Sequence, residues 1–217
     1  MKMKNIAILG GTFDPIHNAH LELAHVLVHT LHFDKVLFIP CKQNPLKSNV
    51  HASEQERIQM ISLAIAPFSE YQCDTREIDS DSSFTITMNT LKSLRQDYPN
   101  DSLTFVIGVD AFNQFDQWHY FESFLDYVHL VIFPRPNYNL NLKTSVQTLV
   151  NRATTSYIED LHQYSHGYFY FSNEPNNAVS STDIRELLKT KNDSKLVNCL
   201  PQSVLTYIQK RKLYTHL

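Results

Sequence analysis

Two histidines close a glycine-containing segment that reads GGTFDPIHNAH from Gly10 to His20. A short apolar run precedes it and a helix-like stretch follows, so the sequence predicts a strand, a turn and a helix. The first turn of a helix presents unpaired N–H groups that bind phosphate. His17 and His20, three residues apart, face the same side of that turn and can donate hydrogen bonds to phosphate. The segment therefore predicts an anion site beside two histidines.

The residues of this turn favour close approach of a ligand to the backbone. Gly10 and Gly11 have no Cβ and permit unusual backbone angles. Pro15 disfavours helical geometry at Asp14, so the helix is expected to begin after the turn, with Asn18 as its N-cap. A glycine pair after a strand is also common in ordinary tight turns, so the functional prediction depends on the whole segment.

A second segment, VSSTDIR from Val179 to Arg185, combines small hydroxyl residues with an arginine. Hydroxyl side chains at a helix start cap the helix and also donate hydrogen bonds to phosphate. Arg185 lies three positions after Thr182 on the same face, and its guanidinium can hold two phosphate oxygens. Alone, the segment fits an ordinary capped helix with a surface arginine. Together with the first segment, it predicts two helix starts that converge on one polyphosphate.

Strands and helices alternate along the chain. The pattern predicts an α/β fold: a Rossmann-like, doubly wound parallel sheet of five to six strands, helices on both faces and a small C-terminal helical part. Residues 1–217 are expected to form a single domain. The expected strands are Asn5 to Leu9, Lys35 to Pro40, Tyr71 to Ile78, Leu103 to Ile107, His129 to Phe133 and Tyr168 to Phe171. The expected helices are Ala19 to Leu31, Ser53 to Ala66, Met88 to Tyr98, 144–152, Val179 to Lys189 and Ser203 to Arg211.

The ends of the predicted strands carry the other candidate residues. In open parallel sheets, ligands bind beyond the carboxyl ends of the strands. Gly10, Cys41, Gly108 and Arg135 all follow such ends, so we expect them to line one rim. Asp110 comes soon after Gly108 and also fits a helix-capping role.

Composition excludes several classes of function. The formal net charge of −3 argues against nucleic-acid binding, and no apolar stretch is long enough to span a membrane. Three scattered cysteines form no disulfide framework and indicate a cytoplasmic protein. His25 and His29 have a spacing that can bind metal, but no further ligand accompanies them, so no protein-held metal is predicted.

The two phosphate-binding segments resemble known motifs of the nucleotidyltransferase superfamily. Gly10 to His20 is similar to a GTFDP turn followed by HxGH, with Ala19 in place of the usual glycine. Val179 to Arg185 is similar to ISxTxxR, whose residues hold the β- and γ-phosphates of ATP in that superfamily. The resemblance implies that the following residues bind ATP: Gly10, Gly11, Thr12, Phe13, Gly108, Asp110, Ser180, Thr182 and Arg185.

The stretch from Phe105 to Pro136 resembles a narrower family, the nicotinate-nucleotide adenylyltransferases, which share a G-x-D, a tryptophan and a strand ending in Arg-Pro. The resemblance implies that Trp118 stacks on the nicotinate ring and that Arg135 meets the phosphate of the mononucleotide. Residues 85–91 are similar to that family's S-Y-T-x-D-T-L segment, and imply that Thr87 contacts the nicotinate carboxylate. Asp14 is assigned to the same substrate. From the residues alone, Trp118 also fits a core position.

The segment before Lys47, Asn44 to Leu46, is similar to that family's PP-H-K motif, with Leu46 in place of histidine. The resemblance implies that the positive charge of Lys47 neutralises the reacting phosphates. Lys42 is the alternative residue for this role. Alone, Lys47 also fits a solvated loop position. The implied catalytic residues are His17, His20, Lys47 and Arg185.

The reaction that the resemblance implies is transfer of AMP from ATP to nicotinate mononucleotide, with release of pyrophosphate. Mg²⁺ is expected on the triphosphate, held mainly by phosphate oxygens. The alternatives are a sister adenylyltransferase acting on phosphopantetheine or nicotinamide mononucleotide, and a non-catalytic nucleotide sensor. Neither a nucleic acid nor a membrane is expected as a partner, and the sequence leaves homo-oligomer formation open.

Overall fold

The computed structural model describes residues 3–42, 50–81, 86–174, 179–190 and 193–215 of the chain. In that part, seven strands form one sheet in the order β3-β2-β1-β4-β5-β7-β6, and every pairing is parallel. The strands are β1 Asn5–Gly11, β2 Lys35–Pro40, β3 Tyr71–Cys73, β4 Ser102–Gly108, β5 His129–Phe133, β6 Thr154–Thr155 and β7 Phe169–Phe171. The predicted fold class is confirmed.

Helices cover both faces of the sheet. They are α1 Asn18–His29, α2 Glu54–Ile65, α3 Thr87–Asp97, α4 Val109–Phe112, α5 Thr144–Ala153, α6 Ile158–Gln163, α7 Ser181–Lys189, α8 Asp193–Cys199 and α9 Gln202–Arg211. Two 3₁₀ turns, Phe115–Gln117 and Phe121–Asp126, lie between α4 and β5.

Alternation along the strands divides the core into two clusters. In β1, Ala7 and Leu9 join the cluster covered by α1, α2 and α6 to α9, whereas Ile6 and Ile8 join the cluster covered by α3 to α5. Successive side chains of a strand point to opposite faces, so a strand that is buried on both faces reads as a continuous apolar run. The strand order reverses between β1 and β4, which places the ligand crevice at the carboxyl ends of these strands.

Several boundaries differ from the sequence-based expectations. The sheet has seven strands rather than five to six, because the two-residue β6 pairs at the edge and is too short to give an apolar pattern. The third strand ends at Cys73 instead of Ile78, and α6 and α8 had no counterpart in the expected helices. In the described ranges, no helix is long and apolar enough to cross a membrane.

Candidate functional site

The two histidines lie at the start of α1, where β1 turns into the helix. His17, not Asn18, is the N-cap residue, because its backbone is extended and its carbonyl accepts from the His20 N–H at 2.9 Å. The His17 N–H donates to Nδ1 of His20 at 3.2 Å, and the two ring centroids are 3.8 Å apart. Asn18 instead donates from its amide to the carbonyl oxygen of Asn198 at 2.9 Å.

Burial keeps His17 neutral. The residue is 4% exposed. Burial and the nearby charge of Arg135 lower the pKa of its ring to about 4, and the charge of Asp183 opposes this shift. Its Nδ1 has no hydrogen-bond partner among the residues that the structure describes. His20 accepts at Nδ1, so in the neutral ring its proton lies on Nε2. His17 therefore acts as a neutral hydrogen-bonding group, and Nε2 of His20 is the nitrogen placed to donate.

The glycine pair lets aromatic rings pack closely against the end of β1. A Cβ on Gly10 would lie 3.3 Å from the ring of Phe105, and one on Gly11 would lie 3.2 Å from the ring of Phe13. Phe13 adopts a positive φ of 50° and its ring lies against that of His20, with centroids 5.0 Å apart. The turn is thus shaped by packing as well as by any need for ligand access.

Asp14 is a buried anchor of the turn. Its carboxylate accepts from the hydroxyl of Tyr214 at 2.7 Å, from the N–H of Ala52 at 3.0 Å and from the N–H of His51 at 2.8 Å. Asp14 is 2% exposed, so its oxygens are already occupied inside the protein. Asp14 therefore anchors the turn, and the mononucleotide contact that was assigned to it stays a prediction.

The start of α7 is capped by its own side chains. The Ser180 hydroxyl accepts from the N–H of Asp183 at 3.2 Å and donates to its carboxylate at 2.6 Å. Hydrogen bonds from Ser180 lower the pKa of Asp183. The hydroxyl of Ser180 is therefore engaged in the cap, and its phosphate contact stays a prediction. Thr182 is exposed at the same helix start.

The two helix starts meet at one turn, as predicted. The Ser181 hydroxyl donates to the carbonyl oxygen of Pro15 at 3.0 Å. Arg185 donates from Nη1 to the carbonyl oxygen of Asp14 at 2.8 Å and from Nη2 to Thr182 Oγ1 at 3.1 Å. These contacts bring the guanidinium of Arg185 to the turn that carries the histidines, across 171 positions of sequence.

Arg135 and Asp110, which follow β5 and β4, form an ion pair at 2.7 Å. Gly108 permits this arrangement, because a Cβ there would lie 2.5 Å from Oδ1 of Asp110. Arg135 also contributes to the lowered pKa of His17, so its charge acts on the histidine turn. The structure thus joins two residues that the resemblance had assigned to different substrates.

The candidate nicotinate residues lie on the face covered by α3 to α5. Trp118 is half-buried, and its ring packs at 6.0 Å, 5.8 Å and 5.8 Å from the ring centroids of Phe105, Phe115 and Phe124. Thr87 is the half-buried first residue of α3. No hydrogen bond or ring contact joins Trp118 or Thr87 to the histidine turn within the described residues. Trp118 therefore combines a packed edge with a partly accessible surface.

The structure treats the three basic residues that follow β2 in the sequence differently. Lys47 lies outside the described residues, so its predicted role stays a prediction. Lys42 donates to the carbonyl oxygen of Ser80 at 2.6 Å. Arg57, which the motif search missed, is fully buried and donates to the carbonyl oxygens of Thr12 and Cys41, both at 2.8 Å. Its signal in the sequence is a charge on the buried stripe of α2, which it shares with Met60, Ile61, Ala64 and Ile65.

Comparison with known proteins gives consistent matches. The cytidylyltransferase-like family model matches residues 8–187. The chain is 37% identical over 213 residues to a probable nicotinate-nucleotide adenylyltransferase of Legionella pneumophila, covering 98% of this chain and 100% of the relative. A protein of the same description from Coxiella burnetii is 38% identical over 212 residues, covering 96% of this chain and 97% of the relative.

A solved structure shares the fold. It is a Plasmodium falciparum nicotinic acid mononucleotide adenylyltransferase complexed with NaAD, at TM-score 0.72 and 22% identity over 97% of each chain. The family match rests on most of the sequence, and the glycine turn, both histidines and Arg185 meet at one crevice of this fold. The chain therefore belongs to the nicotinate-nucleotide adenylyltransferase family of cytidylyltransferase-like proteins.

Proposed function

We propose that this protein transfers the adenylyl group of ATP to nicotinate mononucleotide, producing nicotinate adenine dinucleotide and pyrophosphate in NAD biosynthesis. The observation that carries the proposal is the convergence of the two helix starts, made by the bonds of Ser181 to Pro15 and of Arg185 to Asp14. Helix N-termini bind anions, and two of them at one turn suit a ligand with several phosphates. Membership of the family supports the choice of substrates.

The chemistry requires positioning and charge stabilisation rather than a nucleophilic side chain. The phosphate of the mononucleotide is ionised at neutral pH and attacks the α-phosphorus of ATP directly, while the bond to the pyrophosphate breaks. We assign His20 Nε2–H as a donor to an α-phosphate oxygen, because its Nδ1 already accepts from His17. Neutral His17 supports that geometry and adds a hydrogen-bonding nitrogen.

Arg185 supplies the positive charge for the leaving pyrophosphate. Its guanidinium carries five donors, and the bonds to Asp14 and Thr182 fix its plane without consuming them all. The charge is permanent at working pH, unlike that of a buried histidine. Thr182 and, outside the described residues, Lys47 complete the proposed phosphate contacts.

Arg135, Trp118 and Thr87 are the proposed residues for the mononucleotide. The Arg135–Asp110 pair is partly exposed, with side chains 30% and 26% accessible, so an incoming phosphate can compete for the guanidinium. Release of Asp110 from Arg135 would leave its carboxylate available to a sugar hydroxyl. The partly accessible surface of Trp118 suits stacking of an electron-poor pyridine ring.

We propose that Mg²⁺ enters as part of the ATP substrate. In the described part of the chain, no group of three or more His, Cys, Asp or Glu side chains is placed to hold a metal. The ring centroids of His25 and His29 lie 4.1 Å apart, but no third His, Cys, Asp or Glu side chain among the described residues joins them as a metal ligand. Mg²⁺ prefers oxygen ligands, and the phosphate oxygens of ATP together with water can supply them.

A direct assay tests the proposal. The purified chain is mixed with ATP, Mg²⁺ and one acceptor at a time, and released pyrophosphate is measured. Nicotinate mononucleotide should be the preferred acceptor; preference for nicotinamide mononucleotide or phosphopantetheine would assign a sister activity. Binding of ATP without pyrophosphate release from any acceptor would indicate a nucleotide sensor. The single-domain organisation, the cytoplasmic location and any homo-oligomer stay predictions.

A further inference from the structure

Arg57 is a fully buried cation whose hydrogen-bond acceptors, among the residues that the structure describes, are neutral carbonyl groups. Its Nη1 donates to the carbonyl oxygens of Thr12 and Cys41, both at 2.8 Å, and its Nη2 donates to that of Lys42 at 3.3 Å. No ion pair joins Arg57 to a carboxylate in the described part of the chain. Its Nε has no hydrogen-bond partner there either.

The three acceptors of Arg57 lie just beyond the carboxyl ends of β1 and β2. Thr12 belongs to the glycine turn, whereas Cys41 and Lys42 begin the segment after β2. A single planar guanidinium therefore fastens the turn to the neighbouring strand end, from beneath the proposed phosphate site. Lysine lacks this fork and could not bridge the same carbonyl oxygens in the same way.

A buried charge without a counter-charge is unfavourable unless something compensates it. The carbonyl dipoles around Arg57 compensate part of this cost. The remaining positive charge lies at the edge of the sheet where α1 and α7 also direct the positive ends of their dipoles. An anion that enters this crevice is attracted by all three.

Resting on the proposed function, we infer that Arg57 is a positioning residue for adenylyl transfer. It fixes the Thr12 turn against the β2 end, and its buried charge is balanced by the polyphosphate of the bound nucleotide. It does not need to touch the substrate, because a charge in a low-dielectric interior acts over several ångströms. In the free protein this charge has no carboxylate partner among the described residues, and the bound nucleotide would supply the negative charge that balances it.

Arg95, which is half-buried, provides a control with similar hydrogen bonds elsewhere in the molecule. It too donates to carbonyl oxygens only, those of Tyr98, Asp101, Tyr127 and Ser165. Its acceptors lie near the amino ends of β4, β5 and β7, far along these strands from the proposed site. Replacement of either arginine by methionine removes a cation and leaves backbone acceptors without a donor.

The experiment measures the melting temperature of the full chain and of Arg57→Met, Arg57→Gln and Arg95→Met, each with and without inorganic pyrophosphate. We expect all three substitutions to lower the melting temperature of the free protein. Only the two Arg57 variants should lose most of the rise that pyrophosphate produces, with affinity for pyrophosphate about tenfold weaker or more. Arg95→Met should keep the full rise. A full rise in either folded Arg57 variant would overturn the inference.

Arg57→Lys tests the positioning role separately and applies even where the neutral variants do not fold. It keeps the charge, so the KM for ATP should stay near that of the parent protein. It loses the fork, so kcat should fall about tenfold as the turn loosens. A parental kcat in this variant would overturn the positioning role. If the unchanged protein releases no pyrophosphate with any acceptor, the proposed function fails instead, and the pyrophosphate-induced melting shifts still report on Arg57.

Discussion

The carboxyl ends of the parallel strands form one rim of the sheet, the carboxyl edge, and their amino ends form the other, the amino edge. Both edges hold an arginine and a histidine, but in different surroundings. The carboxyl edge holds buried Arg57 and buried His17, and the amino edge holds Arg95 and buried His129. Burial lowers the pKa of both histidines to about 4. The two histidines therefore differ in their hydrogen bonds rather than in their charge or burial.

At the amino edge, the ring of His129 has both nitrogens paired. Its Nδ1 accepts from the N–H of Tyr168 at 3.1 Å and its Nε2 lies 2.8 Å from the carbonyl oxygen of Tyr164. Every guanidinium nitrogen of Arg95 donates to a carbonyl oxygen. At the carboxyl edge, His17 Nδ1 and Arg57 Nε have no such partner among the described residues. The pairing of Arg95 and His129 is thus complete, whereas Arg57 and His17 each keep one buried nitrogen without a partner, so their environment depends more on charge that enters the crevice.

The largest expected effect is a loss of activity on substitution of a histidine at the carboxyl edge. His20→Ala should lower kcat about a hundredfold or more, because a donor to the reacting phosphate is lost, with little change in melting temperature for this half-buried side chain. Pyrophosphate release in the presence of ATP and nicotinate mononucleotide measures it. A near-parental rate would remove His20 from the proposed mechanism.

The corresponding change at the amino edge should have the opposite signature. His129→Ala removes a fully buried ring and two hydrogen bonds, and should cost about 2–4 kcal/mol of unfolding free energy. At a temperature where the variant is folded, kcat should stay near the parental value. Urea unfolding and the same pyrophosphate assay give both quantities. Loss of activity without loss of stability would contradict the division between the edges.

Acid should destabilise the protein through both histidines. Their pKa values are about 4 in the folded chain and near 6.5 when unfolded, so the unfolded chain binds more protons between these limits. The contribution of these histidines to the free energy of unfolding should therefore be fully present above pH 6.5. It should fall as the pH drops toward 4, by at most about 1.4 kcal/mol per pH unit for each histidine. Unfolding titrations at pH 7, 6 and 5 measure the slope, and His129→Ala should reduce it.

Tyr214→Phe should have a smaller effect on rate. It removes the hydroxyl that donates to buried Asp14 while keeping the packed ring. Since Arg185 is held by the backbone of Asp14, we expect kcat to fall about tenfold and stability by about 1–3 kcal/mol. Tyr207→Phe is the control, because Tyr207 lies on α9 without a hydrogen bond to the site among the described residues. Equal effects of the two substitutions would contradict a specific role for Tyr214.

The smallest effect is expected for Gly108→Ala. The added Cβ would lie 2.5 Å from Oδ1 of Asp110 and must displace that carboxylate from Arg135. We expect the KM for nicotinate mononucleotide to change severalfold, with a smaller change in kcat. Steady-state assays at varied mononucleotide concentration measure this, and an unchanged KM would argue against a substrate role for the pair.

Local patterns made much of the fold and of the site predictable. The helix expected to start at Ser53 does so, because Ser53 and Glu56, three residues apart, form a capping box at the start of α2. The candidate residues after β1, β4 and β5 were expected on one rim, because parallel strands end at the same edge. The convergence of α1 and α7 was expected from paired motifs.

What sequence could not supply is the pairing of side chains over long distances. No local pattern joins Tyr214 to Asp14 or Arg135 to Asp110, and the outcome depends on how loops close over the sheet. The cap bonds between Ser180 and Asp183 likewise depend on side-chain geometry that the motif alone does not give. Arg57 was overlooked because its spacing is that of an apolar core residue.

The bond between Asp14 and Tyr214 has a consequence for how the protein is made. The two partners are 200 positions apart, and at about 5–20 residues per second the ribosome adds the second roughly 10–40 s after the first. Throughout that interval the nascent glycine turn lacks the hydroxyl that its buried carboxylate requires. The crevice therefore reaches its final shape only after Tyr214 has been added, late in synthesis.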